Sequence, residues 1–381
     1  MVAANDVLLF FSPDPSKPAG GVKQIYRHAS ILLSVGIDAR VLHTTDDYRY
    51  PWFASEARLA YTGMRRIDTV KRAIAVRLGD RAQRFLAIEP DLELTKGRSI
   101  RLVPPKPGAG GETHRLSETD LVILPEFLVS RFDAGKMGCQ FAVLNQNGFN
   151  TFRSMGTDLG RTTMYQHPRL QGVVTVSEQD QNLISYLFPS IRVMRVRNGI
   201  SDLFGPPQDW LKEKRRQIAF MPRKLERHIE HLVQALHARG VLDGWSLVPI
   251  TGMNEGQVAQ ALRESMIYVS TSVDEGFGLP PVEAGMSGCV VVGYPGGGGR
   301  EYFRPDMSDP VPQNDVFRLI QAVEAAIRRC EQDPKSEAAR ALRFAEYLRS
   351  EYSAERERES VLNVWTSLID PDAHQLPNAA R

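Results

Sequence analysis

Between Met266 and Gly288 the chain reads MIYVSTSVDEGFGLPPVEAGMSG, and few folds accommodate that succession. Met266 to Ser272 is an apolar, β-branched run, the pattern of a buried strand in a parallel sheet. Gly276 and Gly278 then flank Phe277, and Pro281 suits the first turn of a helix, where a missing N–H has no intrahelical partner to lose. Strand, glycine turn and helix in immediate order predict a β-loop-α unit of an open α/β sheet. In such sheets ligands bind outside the carboxyl ends of the strands, where a helix N-terminus offers unpaired N–H groups to an anion.

Two carboxylates frame this turn, Glu275 before it and Glu283 after it. An acid beside a phosphate is repulsive unless it faces something else, such as sugar or ribose hydroxyls that donate to it. Each glutamate alone fits a plainer role, Glu283 against the dipole in the helix's first turn and Glu275 on a solvated loop. Taken with the strand, the glycine turn, the Pro-Pro step and the closing Gly288, the pair points to a nucleotide-sugar site. The segment resembles the E-x7-E signature of the retaining nucleotide-sugar glycosyltransferases of family 4. The resemblance implies the GT-B fold, two Rossmann-like α/β domains facing a cleft. It further implies that Glu275 contacts the donor sugar and Glu283 holds the ribose, while the backbone of Gly276, Phe277, Gly278 and Leu279 lines the sugar and phosphate pocket.

A chain of 381 residues exceeds what one core usually organises, so two domains are expected. The turn formers from Asn198-Gly199 to Phe204-Gly205-Pro206-Pro207 mark the linker. Residues 1–200 are expected as an acceptor-binding Rossmann-like domain and 201–352 as the donor-binding one. A closing helix begins at Ser353 and, on the resemblance, residues 353–381 return to the first domain. Strands are predicted at Val7–Phe11, Ala39–Leu42, Leu121–Leu124, Phe141–Leu144, Val173–Val176 and Val193–Val196. A second series follows at Ile218–Met221, Leu247–Ile250, Ile267–Ser272 and Val290–Val292. The stretch from Pro51 to Glu118 is irregular, with an exposed loop or hairpin tip in the run Pro104–Glu112.

The net charge of +2 argues against wholesale nucleic-acid binding. Cys139, Cys289 and Cys330 fit neither a disulfide framework nor a zinc pattern, so reduced thiols in a cytoplasmic protein are expected. The N-terminus lacks the basic start of a signal peptide, and no apolar stretch reaches membrane-spanning length. A basic run containing Arg65, Arg66, Lys71, Arg72, Arg77, Arg81 and Arg84 keeps Ile67, Val70, Ile74 and Leu78 at helical spacing. Such a helix packs on the first domain or lies against the inner face of an anionic membrane.

Arg223 and Lys224, directly after a predicted strand, are either a solvated basic loop or a clamp on the leaving diphosphate. Relatives of the resembled family carry an Arg and a Lys here with more residues between them, so Arg227 is a rival partner for Arg223. Gly20-Gly21 opens a helix after the first strand and matches a glycine pair of that family. Gly296 to Gly299 form a second glycine-rich loop, but no Gly-Lys-Ser/Thr follows, which excludes a Walker motif. The resembled family has a Gly-rich loop with a following Glu at this place, which implies Glu301 as a further residue of the donor cleft. Where many family members place a histidine, this chain has Asn145, Gln146 and Asn147, and Gln146 is the choice for that position. An amide can hydrogen-bond a sugar but cannot move a proton near neutral pH. His167 and His228 are weaker alternatives.

The expected reaction is metal-independent sugar transfer from a nucleoside-diphosphate sugar, a co-substrate rather than a bound cofactor, to a glycan, lipid or small-molecule hydroxyl. A sugar-nucleotide epimerase on the same fold and a non-catalytic carbohydrate-binding subunit stay open. A dehydrogenase needs Gly-x-Gly-x-x-Gly after the first strand, which is absent.

Overall fold

The computed structural model describes residues 7–15, 19–51, 55–62, 93–103, 111–155, 164–222 and 225–369, with the backbone alone at 153 and 154. The basic run from Arg65 to Arg84 and the Arg223-Lys224 pair lie outside the described residues. The chain forms two compact units, the first drawn from residues 1–174, 184–194 and 361–381, the second from 175–183 and 195–360.

In the first unit the described strands are β1 (Leu8–Phe11), β2 (Ala39–His43), β3 (Arg58–Tyr61), β4 (Ser99–Leu102), β5 (Glu112–Arg115), β6 (Leu121–Pro125), β7 (Gln140–Asn145), β8 (Leu170–Thr175) and β9 (Val193–Arg195). They make one sheet in the order β5-β4-β3-β2-β1-β6-β7-β8-β9. β1 pairs in parallel with both β2 and β6, whose residues are buried throughout, as expected of strands covered on both faces. The helix Gly20–Leu33 returns the chain from β1 to β2, laying Val22, Ile25, Ala29 and Leu32 on the sheet, and ends before Gly36, whose φ of 87° an L side chain resists.

The edge of this sheet departs from expectation. β3, β4 and β5 occupy the stretch that sequence pattern left irregular, with β4 antiparallel to both its neighbours. β5, Glu-Thr-His-Arg, buries none of its four residues, so it has no apolar signature to read. β4 and β5 pair antiparallel, and residues 104–110 of the run Pro104–Glu112 between them lie outside the described residues.

The second unit's strands are β10 (Arg215–Phe220), β11 (Ser246–Pro249), β12 (Ser265–Glu275), β13 (Val290–Gly297) and the two-residue β14 (Asp309–Pro310). They run parallel in the order β11-β10-β12-β13-β14. Ile218, Ile267, Val269, Val290 and Val292 on the strands meet Leu319, Val323 and Ile327 of the helix Val316–Gln332 in the core. β12 and β13 both extend beyond their predicted ends, β13 through the glycines that read as a loop.

The last helix, Ala354–Ile369, starts under a cap, the Arg356 N–H donating to Ser353 Oγ at 3.2 Å. Its residues from Val361 on belong to the first unit. There Trp365 is fully buried edge-on to Phe10, 5.1 Å between ring centroids, with its indole N–H donating to His28. No helix among the described residues is long and apolar enough to cross a membrane. All three cysteines are buried and unbridged.

Candidate functional site

β12 carries Glu275 to its carboxyl end through a bulge. Ser272 pairs with Pro295 and Glu275 with Gly297, so β12 spends one more residue than β13 over this step, and Asp274 takes up the slack at φ 54°. A bulge at a strand end re-aims the side chain beyond it, here the half-buried Glu275. Gly296 makes room for it: a Cβ there would sit 3.1 Å from that of Glu275.

The two glycine-rich runs exist for each other. A Cβ on Gly298 would lie 1.7 Å from the Gly276 carbonyl oxygen, so backbone meets backbone and no side chain fits. Gly296 to Gly299 are thus not a separate loop: the first two end β13 and the last two start the 3₁₀ turn Gly298–Glu301. Tyr302, fully buried, places its hydroxyl 2.9 Å from the Phe277 carbonyl and 2.7 Å from that of Gly278, one proton shared between two acceptors. Phe277 is itself buried, edge-on to Tyr302 and Tyr352 at 5.4 and 5.1 Å. Its ring anchors the turn in the core, and Gly276 and Gly278 on either side are buried with it, while Leu279 is half-buried. Burial raises the Tyr302 pKa well above the ordinary phenol value.

The helix Leu279–Met286 follows, with Gly278 at its N-cap at φ 83° and no side chain capping it. Pro280 and Pro281 carry no N–H, so the first turn offers an anion fewer donors than a usual helix start. Glu283 lies in the second turn, half-buried, and the first turn holds no acid, so Glu283 does not answer the helix dipole as the plainer reading had it.

Glu301 is engaged inside its own unit. Its carboxylate, 6% exposed, accepts from Arg195 at 2.9 Å, from the Tyr352 hydroxyl at 2.9 Å and from the Glu178 N–H at 2.8 Å. The last bond ties it to the first residue of the helix Glu178–Leu187. Burial raises its pKa, while Arg195 opposes the shift. Arg223 and Lys224 fall outside the described residues, but the segment carrying them joins the carboxyl end of β10 to the helix Glu226–Ala238, and β10 lies beside β12. His228 on that helix is set 3.2 Å from the Tyr294 hydroxyl, and His167 accepts from the Arg169 N–H, both local contacts.

In the first unit three predicted residues come together. Gly20 and Gly21 open their helix exposed at its N-terminus, and the Gln146 side chain at the end of β7 donates to the Gly21 carbonyl at 3.1 Å. A Cβ on Gly21 would come within 3.0 Å of Gln146 Oε1. Beneath them lies a residue that sequence reading missed. Glu126, directly after β6, is 2% exposed and accepts from the Gln146 N–H at 3.2 Å and from the Asn150 amide at 2.9 Å. Burial pushes its pKa up to about 7, against the pull of those two donors. The available signal was an acid placed at the carboxyl end of an all-apolar strand.

Among the described residues no cluster of three or more His, Cys, Asp or Glu is arranged to hold a metal ion.

Residues 247–346 match the family described as Glycosyl transferases group 1, a span that contains Glu275, the glycine turns, Glu283 and Glu301. Over 193 residues the chain is 26% identical to the alpha-1,6-glucosyltransferase of Actinobacillus pleuropneumoniae serotype 7 (strain AP76). That match covers 49% of this chain and 56% of the relative, so the chain spans little more than half the length of the curated protein it matches. Among solved structures, sucrose-phosphate synthase from Thermosynechococcus elongatus is similar with a TM-score of 0.61 and 14% identity, over 96% of this chain and 100% of that one. HepE from Anabaena, in complex with UDP, is similar with a TM-score of 0.59 and 12% identity, over 95% of this chain and 100% of that one. At these identities the likeness establishes the fold, which is of the GT-B type.

Proposed function

We propose that this protein is a glycosyltransferase that moves a sugar from a nucleoside-diphosphate sugar to a hydroxyl of a glycan, lipid or small molecule, with retention at the anomeric carbon and without a metal. The observation that carries the reading is Glu275 at the bulged end of β12, beside a turn fixed in place by Gly298 and Tyr302 and followed by Glu283. The family match over residues 247–346 and the UDP complex of a protein of the same fold support the donor class.

In this reading the backbone of Gly276 to Leu279 receives the donor, Glu283 accepts from ribose hydroxyls and Glu275 accepts from sugar hydroxyls. Cleaving the sugar–phosphate bond builds negative charge on the leaving diphosphate. Arg223 and Lys224, in the segment after β10, neutralise it as it forms. The departing phosphate oxygen takes the acceptor's proton on the face it leaves, which delivers retention without a protein nucleophile. Gln146 and the Gly20-Gly21 helix start receive the acceptor. Contact with an anionic membrane through the basic run from Arg65 to Arg84 belongs to the same proposal. Sedimentation with phosphatidylserine vesicles at low and high salt tests it.

A thermal-shift screen of nucleoside diphosphates and their sugars is the first test, because a ligand bound only by the native state raises the melting temperature. The best donor is then incubated with a panel of alkyl glycosides, with and without chelator, and the anomeric configuration of any product is read by NMR. No stabilisation by any nucleotide sinks the proposal. An isomerised donor without acceptor would mark an epimerase instead, and loss of turnover with chelator would remove the cation account.

A further inference from the structure

The buried carboxyl of Glu126 has no place in the chemistry above, and its surroundings are unusual for a core acid. Among the described residues no cation pairs with it. Its two oxygens accept from the Gln146 N–H and from Asn150 of the helix Gly148–Met155, so one side chain ties the end of β7 to the helix that follows. Gln146 in turn reaches the Gly21 carbonyl, which makes Glu126 the inner post of the surface assigned to the acceptor. The same segments present Phe127 and Phe152 to solvent, 39% and 43% exposed. The titratable group facing Glu126 is the Tyr165 phenol, itself raised by burial and therefore neutral around pH 7.

We propose that Glu126 is a positioning residue of the acceptor subsite: by accepting from the Gln146 N–H and the Asn150 amide at once it sets the Gln146 turn against Gly21, so that acceptor use follows the charge of a carboxyl the acceptor never touches. The inference rests on the glycosyltransferase reading for its functional half and on geometry alone for its structural half. As a carboxylate Glu126 accepts both bonds. Once protonated, one of the two oxygens carries an O–H and accepts more weakly, so the bond from the Gln146 N–H or from the Asn150 amide is weakened and that donor is less firmly held. With burial raising the Glu126 pKa to about 7, that change falls near neutral pH. Glu126→Gln keeps shape and one acceptor but carries no titrating proton.

The test follows the Gln146 backbone amide resonance of the full chain by NMR across neutral pH, which needs no ligand. In the wild type it should move with a midpoint near pH 7, and in Glu126→Gln it should be flat. In Asn150→Ala, which removes a donor that favours the charged form, the midpoint should rise. The second variant guards against a Glu126→Gln protein that fails to fold. With the alkyl glycoside chosen by the acceptor screen, kcat/KM for acceptor should rise roughly tenfold as pH rises through 7 in the wild type and stay level in Glu126→Gln, while the donor KM is unmoved. A Gln146 resonance that does not titrate, or one that titrates equally in Glu126→Gln, overturns the proposal. A titrating resonance in a protein that binds no nucleotide sugar leaves Glu126 as the post of the turn and overturns the glycosyltransferase reading alone.

Discussion

The turn at Gln146 and the turn at Phe277 each stand at the carboxyl end of a parallel strand, and each is held from beneath by one buried side chain. They are held by opposite kinds of group. Under Gln146 the post is Glu126, an acid whose burial brings its ionisation to about pH 7. Under Phe277 the post is Tyr302, a phenol whose burial drives its ionisation further away, so it stays a neutral donor. Desolvation disfavours the charged form in both. It moves a carboxyl toward neutrality and a phenol out of reach, so the same burial makes one turn sensitive to pH and the other indifferent.

Removing space under the indifferent turn should give the largest effect. Gly298→Ala drives a methyl into the Gly276 carbonyl, and the backbone of both strands must shift. Denaturant unfolding should show a loss of more than about 3 kcal/mol, the range of the more severe core changes, while the Gln146 resonance is unchanged. A loss under about 1 kcal/mol would mean that the two glycine runs are not in register as described.

The sensitive turn is next. The folded-state pKa of Glu126 lies above its unfolded value, so the folded state binds the proton more tightly. This contribution to stability is fully present below about pH 4.5 and is lost as pH rises through about 7. Its full size is about 3 kcal/mol. Glu126→Gln should therefore lose its deficit relative to wild type, and then overtake it, as pH is raised from 5 toward 8 in parallel urea titrations. A stability difference that stays constant with pH would place the titration elsewhere.

Glu275→Ala separates chemistry from scaffold on the Phe277 side. It should lower kcat on the order of 10²-fold while leaving calorimetric affinity for the free nucleoside diphosphate nearly intact, since in the proposed reading the lost group serves the sugar alone. Equal loss of diphosphate binding would recast the segment as a structural turn. Tyr302→Phe should be mildest, costing about 1–2 kcal/mol at every pH because two buried carbonyls lose their shared donor. Any pH dependence of that cost would contradict the contrast with Glu126.

What could be read in the sequence was whatever repeats locally. The β12 run, its glycine turn and the helix at Leu279 each carry their own pattern, and Gly20-Gly21 and Gln146 were each marked by a neighbouring strand. Their meeting at 3.1 Å was not legible, because it depends on β1 and β7 flanking β6 in the sheet. Glu126 was missed for the same reason: burial is a property of the assembled sheet, and an acid after a strand looks like a solvated loop. The glycines ending β13 read as a loop because a residue with no side chain gives no strand signal, although the close approach of Gly276 is what requires them. β5 is the reverse case, a strand of polar residues whose only credential is its pairing with β4.

The position of Trp365 has a consequence for how the molecule is made. Phe10 and His28, read early by the ribosome, complete their packing only with a tryptophan from the last helix. Arg192 likewise waits for the Ser367 carbonyl and hydroxyl at 3.0 and 3.1 Å. Chains ordinarily consolidate from the N-terminus during synthesis. Here the first unit emerges with one face of its interior uncovered and keeps it so until the whole second unit has been translated. A nascent chain stalled before residue 361 should accordingly present a sticky, chaperone-binding face that the finished protein never shows.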